Sequence, residues 1–199
     1  MHREIPPQAV RVLDAALTCI GRVGPAKTTL DDVAREAGCA RATVYRYFPC
    51  KQQLICALVE REVAAFRQEL FAAAHGAESL GEAVTTIITT AAGALLGHPA
   101  LTFVAAYEPE TLLPYLAFER ESAVLGAAAA LVAPAFARFL PIERATRLAE
   151  WVARITLSYL CCPSDHVDLT DARPVRALVD DFVLPGYLRP AGTLEGITP

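Results

Sequence analysis

TTLDDVAREAGCARATVYRYFPCK, residues Thr28–Lys51, is the stretch from which the fold can be read. Its first half carries the marks of a helix start. Thr29 is placed to cap, and Asp32 three residues on supplies the returning carboxylate of a short capping box. Leu30, Val33, Ala34 and Ala37 then recur at helical spacing, and Gly38 supplies the stop. A second helix over Ala40–Phe48 turns by about 100° per residue. Val44 and Phe48 then share an inner face with Ala40, Ala42 and Arg46 point away from it, and Thr43 and Tyr45 flank the outer face. A short helix with a small apolar inner face and an Arg/Thr/Tyr outer face suits phosphate and base contact in a DNA groove. The pattern predicts a helix-turn-helix, although a helical hairpin with a solvated polar face shares the same periodicity.

The words themselves carry more than the periodicity. T-T-L-x-x-V-A-x-x-A-G, then R-A-T-V-Y-R-Y-F-P-x-K, then Leu54, resembles the DNA-binding domain of the tetracycline-repressor (TetR) family of bacterial regulators, over roughly Gln8–Val59, about a quarter of the chain. The resemblance implies that the second helix touches the DNA backbone through Thr28 and Thr29, with Lys27 beside them in reach of phosphate. It implies that the third helix lies in the major groove. Arg41, Ala42 and Thr43 would face base edges or nearby phosphates, and Tyr45, Arg46 and Tyr47 would contact backbone or bases. Lys51, matching the family's lysine at the start of the fourth helix, would grip a phosphate together with helix-terminal N–H groups. Arg46, on the outermost face, suits guanine O6/N7, and a phosphate suits it as well. Two positions depart from the family: Ala40 and Cys50 stand where it often has a capping serine. A lost cap costs about 1 kcal/mol, which predicts a less rigid reader without loss of the phosphate-binding groups.

Composition fits this picture once charge is divided along the chain. Of 199 residues 54% are hydrophobic, Ala and Leu are abundant, and alternating β-branched runs are few, so the expected fold is all-α. The net charge of −4 argues against a nucleic-acid partner, but residues 1–51 carry eight Arg/Lys against five Asp/Glu, a net of +3. Residues 52–199 carry ten against seventeen, a net of −7, and that acidic remainder repels phosphate. Cys19, Cys39, Cys50, Cys56, Cys161 and Cys162 form no C-x-x-C pair, and Met1–Val10 holds charges and two prolines rather than an apolar run. These features predict reduced thiols in a cytoplasmic protein without a signal peptide. The longest apolar run, Ala123–Ala137, spans 15 residues, is interrupted by Pro134, and predicts a buried helix with no membrane role.

In chain order, Gln8–Val23 reads as an amphipathic first helix ended by Gly24–Pro25. After the reader, a long fourth helix runs from Cys50 to about Ala74 and breaks at His75–Gly76. Helices follow over Leu80–Leu96, Ala100–Glu108, a long stretch from Pro114 to about Leu140 with a kink near Pro134, and Ile142–Leu160. A last helix over Asp171–Leu184 is stopped by Pro185–Gly186, and Arg189–Pro199 reads as a disordered tail. The domain reading is a helix-turn-helix module over 1–51, whose connecting helix spans 50–74, then a helical domain over 52–189 and a tail over 190–199.

By the same resemblance, the carboxy-terminal helices make a small-molecule pocket and a homodimer interface. Phe103, Tyr107, Tyr115, Phe118 and Trp151 supply the apolar and hydrogen-bonding composition of a ligand pocket, and plain core packing accounts for any one of them more readily. Two-fold pairing through Ile142–Leu160 and Asp171–Leu184 would set two readers about 34–36 Å apart or slightly more on a palindromic site of double-stranded DNA. The expected function is a homodimeric repressor released by a small apolar effector, with no cofactor and no metal. Catalysis is disfavoured: Ser164, Asp165 and His166 are adjacent rather than converging, and His2, His75, His98 and His166 fall into no metal-binding spacing. Three alternatives stay open at this level: an activator of the same fold, a redox sensor using Cys161–Cys162 or Cys39 and Cys50, and a helical interaction module without DNA.

Overall fold

The computed structural model describes residues 6–108 and 123–188, and among these every regular element is helical. In order they are α1 (Pro7–Lys27), α2 (Leu30–Glu36), α3 (Arg41–Tyr47), α4 (Lys51–His75), α5 (Leu80–Gly97), α6 (Pro99–Tyr107), α7 (Ala123–Phe136), α8 (Ile142–Cys161), α9 (Ala172–Leu178), a wide π turn (Val179–Val183) and α10 (Leu184–Leu188). They form two compact units, one from the described residues of Met1–Gln68 and Ala94–Val124, the other from those of Glu69–Gly93 and Leu125–Pro199. Packing therefore groups α6 with the helix-turn-helix, which chain order alone separates from it.

The first unit is built on α1. Its buried stripe of Ala9, Val12, Leu13, Ala16 and Ile20 meets Leu30 and Val33 of α2, Val44 and Phe48 around α3, and Leu54 and Leu58 of α4. The expected stop at Gly24–Pro25 is instead a kink, and one more turn follows it. Gly24 takes φ 82°, a conformation a side chain would strain, and it is buried. A β-carbon there would lie 2.5 Å from the Phe103 ring and 2.6 Å from Glu108 Oε1, so α6 packs into the space glycine leaves. Pro25 then presets the first residue of the new turn, and the Thr28 N–H closes it on the Gly24 carbonyl at 3.2 Å. A polar clamp joins three elements of this unit. Arg61 of α4 bonds Asp14 of α1 at 2.6 Å and Glu62 at 2.8 Å, and Glu62 meets His98 at 3.3 Å. His98 in turn caps α6 by accepting from the Leu101 N–H at 3.3 Å.

The second unit surrounds Leu80, Val84, Ile87 and Ile88 of α5, Val132 and Phe136 of α7, Leu148 and Val152 of α8, and Val175 and Val179 at the carboxyl end. α5 is long and apolar enough to cross a bilayer by length and composition, and half of it is buried inside the protein. The long helix expected from Pro114 has its start outside the described residues and ends at Phe136, where the Phe139 and Leu140 N–H groups fold back onto the Phe136 carbonyl. The expected stop at Pro185–Gly186 does not occur. The Leu184 N–H reaches five residues back to the Val179 carbonyl, and this widened turn lets helix resume through Pro185, whose missing N–H then matters little. The tail from Arg189 lies outside the described residues.

Candidate nucleic-acid interface

α2 is held by its own ends. Thr29, extended at φ −111° and ψ 159°, accepts from the Asp32 N–H at 3.2 Å, and the Asp32 carboxylate accepts from the Thr29 N–H at 3.2 Å. The Thr29 hydroxyl also donates to Asp32, and Arg35 reaches the same carboxylate at 3.0 Å. Bonding from Thr29, its hydroxyl foremost, with help from Arg35, holds the Asp32 carboxyl below the usual carboxylate range. At the other end Gly38 turns the chain at φ 59°, the Cys39 N–H reaches back to the Ala34 carbonyl at 3.1 Å, and Arg11 of α1 donates to the Ala37 carbonyl at 2.9 Å. Arg11 was not legible as part of the motif.

α3 has no such cap. Ala40 occupies the N-cap position and makes no side-chain cap bond. Ala40 is also exposed rather than on the inner face, because at ψ 144° it has already left the helix. What anchors α3 is Val44, fully buried, and Phe48, 8% exposed. Opposite them Arg41, Ala42, Tyr45 and Arg46 are exposed, while Thr43 and Tyr47 are half-buried. Arg46 lies 5.0 Å above the Tyr47 ring, with its Nη2 3.4 Å from the Tyr47 hydroxyl, a stacking that limits how far the guanidinium can swing.

A hydrogen bond and an ion pair gather the remaining candidates. Lys51 Nζ donates to the Ala26 carbonyl at 2.8 Å, which brings the start of α4 to the chain just before Lys27 and Thr29. Arg41 Nη1 meets Asp31 Oδ2 at 2.9 Å, which ties the start of α3 to the start of α2. Lys27 and Thr29 are exposed. Thr28 stands apart: it is 3% exposed and its hydroxyl donates inward to the Gly24 carbonyl at 2.7 Å. The structure gives it the work of closing the α1 kink. Asp31 joins this surface, and its signal in the sequence is a carboxylate and a guanidinium at the starts of two helices joined by a tight turn.

The aromatic candidates for a ligand pocket are divided. Phe103 and Tyr107 of the first unit stack with ring centroids 4.8 Å apart, Phe103 against Gly24 and Tyr107 largely exposed. Trp151 packs on the core of the second unit, and Tyr115 and Phe118 lie outside the described residues. An open cavity of about 510 Å³ in the second unit is lined, among the described residues, by Glu82, Thr85, Thr86, Ala172, Arg173 and Arg176, and not by Phe103, Tyr107 or Trp151. The cysteines are free thiols; Cys50, Cys56, Cys161 and Cys162 are exposed, and burial pushes the Cys19 thiol up.

Known proteins match this arrangement. The sequence profile described as bacterial regulatory proteins, tetR family, matches residues 12–58, which span α1 to the first turns of α4. An uncharacterised HTH-type transcriptional regulator of Mycobacterium tuberculosis is 32% identical over 180 residues, covering 89% of this chain and 84% of its own. Among solved structures, the TetR family repressor AlkX from Dietzia sp., implicated in biodegradation of n-alkanes, superposes with a TM-score of 0.63 at 21% identity, over 94% of this chain and 97% of its own. AibR, solved in complex with isovaleryl coenzyme A and operator DNA, superposes with a TM-score of 0.55 at 15% identity, over 86% and 96%. At such identities the two structures speak to fold.

Proposed function

Because this chain belongs to the tetR family of bacterial regulatory proteins and is a transcriptional regulator with a DNA-binding helix-turn-helix, we propose that it is a homodimeric repressor. It holds a palindromic operator and is released by a small apolar effector. The observation that carries this reading is the outer face of α3: Arg41, Ala42, Tyr45 and Arg46 exposed on a helix anchored by Val44 and Phe48. Lys27 and Lys51 sit at its margin and serve as phosphate contacts, and Arg46 and Arg41 as the groups able to read base edges. Acting on DNA, the protein works in the cytoplasm.

Pairing through α8 and the segment from Ala172 to Leu188 is supported by large apolar side chains left at the surface there, Ile142 at 61% and Phe182 at 74% exposure. Two-fold symmetry then matches two readers to two half-sites. A short apolar acyl chain, free or carried on coenzyme A, is an effector chemistry that AibR supports, since it was solved with isovaleryl coenzyme A. Release is a population shift: the effector favours a conformer whose readers are wrongly spaced, with α4 carrying the displacement, and a ligand indifferent to the two conformers does nothing.

Selection of bound duplexes from a random pool with the purified protein tests the DNA half, and a recovered palindrome is the expected result. Tyr45→Ala and Lys51→Ala are expected to weaken binding to every sequence alike; operator affinity unchanged in both overturns the assignment. The sensing half is tested by titrating the complex with isovaleryl coenzyme A and with free fatty acids in a gel shift. Release by one of them is expected, and DNA affinity that no small molecule alters contradicts this half.

A further inference from the structure

We propose that Asp31 is a positioning residue for Arg41, and that the pair raises the ratio of specific to non-specific DNA binding rather than affinity itself. The inference rests on the reading of α3 as the DNA-contacting helix. Asp31 lies in the first turn of α2 and Arg41 in the first turn of α3, so their 2.9 Å contact crosses the helix-turn-helix turn. In this motif the start of the second helix meets base edges while the first helix crosses the backbone. An aspartate on that surface is unfavourable for phosphate, and an ion pair whose arginine side chain is 70% exposed adds little to stability. Its consequence is where it holds the guanidinium.

The carboxylate is set up for that task. Oδ2 takes Arg41, while Oδ1 is shielded from solvent and has no hydrogen-bond partner among the described residues. Arg41 is thus the group that answers the negative charge of this carboxylate. The ion pair is made through Nη1, and the other guanidinium N–H groups are enough for a two-pronged bond to a base edge. With its charge answered internally, Arg41 contributes less to the phosphate attraction that governs non-specific binding. Asp31 therefore acts in two directions, lowering attraction to any DNA and lowering the ordering cost of one base contact.

The test uses full-length protein, the duplex recovered by random-pool selection, and a random duplex of equal length. Asp31→Asn is expected to bind the random duplex a few times more tightly, with the slope of log affinity against log salt steeper by about 0.9. It is expected to bind the selected duplex about as tightly as wild type, so that discrimination falls by the same few-fold factor. Selection repeated with Asp31→Asn is expected to lose preference at the base pairs that Arg41→Ala also loses. In an Arg41→Ala background, adding Asp31→Asn leaves discrimination unchanged. Discrimination preserved in Asp31→Asn, or lost equally with and without Arg41, overturns the proposal. Should Asp31→Asn melt early, Asp31→Glu keeps the charge and is expected to restore discrimination in part; a variant as undiscriminating as Arg41→Ala contradicts the positioning role. A wild type that binds both duplexes alike removes the DNA-reading premise instead.

Discussion

α2 and α3 are each seven residues long and lie on either side of one glycine turn, yet they are held by different means. α2 is secured by its ends: a reciprocal cap at Thr29 and Asp32, acids in its first turn that suit the helix dipole, and Arg11 on its last carbonyls. α3 lacks a side-chain cap, begins with a cation at Arg41, and is secured by the burial of Val44 and Phe48 and by an ion pair to α2. Capping leaves a helix defined without reference to its outer face, whereas α3 is defined through its inner face and keeps its outer one free. The supporting helix spends Thr29 and Asp32 on its own end; the reading helix keeps Ala42, Tyr45 and Arg46 at the surface.

If that contrast is right, damage to the two helices should differ in size and in kind. Val44→Ala removes the only fully buried side chain of α3 and is expected to cost about 2 kcal/mol, read as a lower denaturation midpoint and weaker binding to all DNA. Thr29→Ala removes the cap of α2 and is expected to cost about 1 kcal/mol at neutral pH. The acid dependence of that loss sharpens the comparison. The Asp32 carboxyl is held below its ordinary 3.8, so its stabilisation is fully present above that value and is lost as pH falls through the lower folded value. The stability gap between wild type and Thr29→Ala should therefore narrow in strong acid; a gap that widens there breaks the capping account. Ala40→Ser offers α3 the cap it lacks and is expected to add about 0.5 kcal/mol while leaving affinity for the selected duplex nearly unchanged. A large change in affinity would mean that the missing cap serves recognition.

Much of this was legible in the sequence because the signals are local. Thr29, Asp32 and Gly38 each act within one turn of the chain, and Ala40 announces its own missing cap. The inner and outer faces of α3 follow from helical spacing, since Val44 and Phe48 are buried and Ala42 and Arg46 exposed. What escaped depended on distant partners. Gly24–Pro25 reads as a stop because glycine and proline mark stops and kinks alike, and only Phe103, far along the chain, decides between them. Pro185 reads as a breaker until the wide turn before it removes the need for its N–H. Thr28 reads as a surface hydroxyl next to a cap, yet the kink turns it inward to the Gly24 carbonyl. The aromatics expected to line a pocket were the least legible, because an apolar ring has the same sequence signature in a core and in a pocket.

The central claim, that the free outer face of α3 is the surface DNA occupies, is tested most directly by Ala42→Glu. Ala42 is exposed at the middle of that face, so a carboxylate there leaves the core untouched and sets a negative charge against the groove. The account predicts an unchanged melting temperature together with a loss of affinity for the selected duplex of about a hundredfold or more, since a misplaced like charge at an interface costs several kcal/mol. A folded Ala42→Glu variant that binds the duplex as tightly as wild type would contradict it.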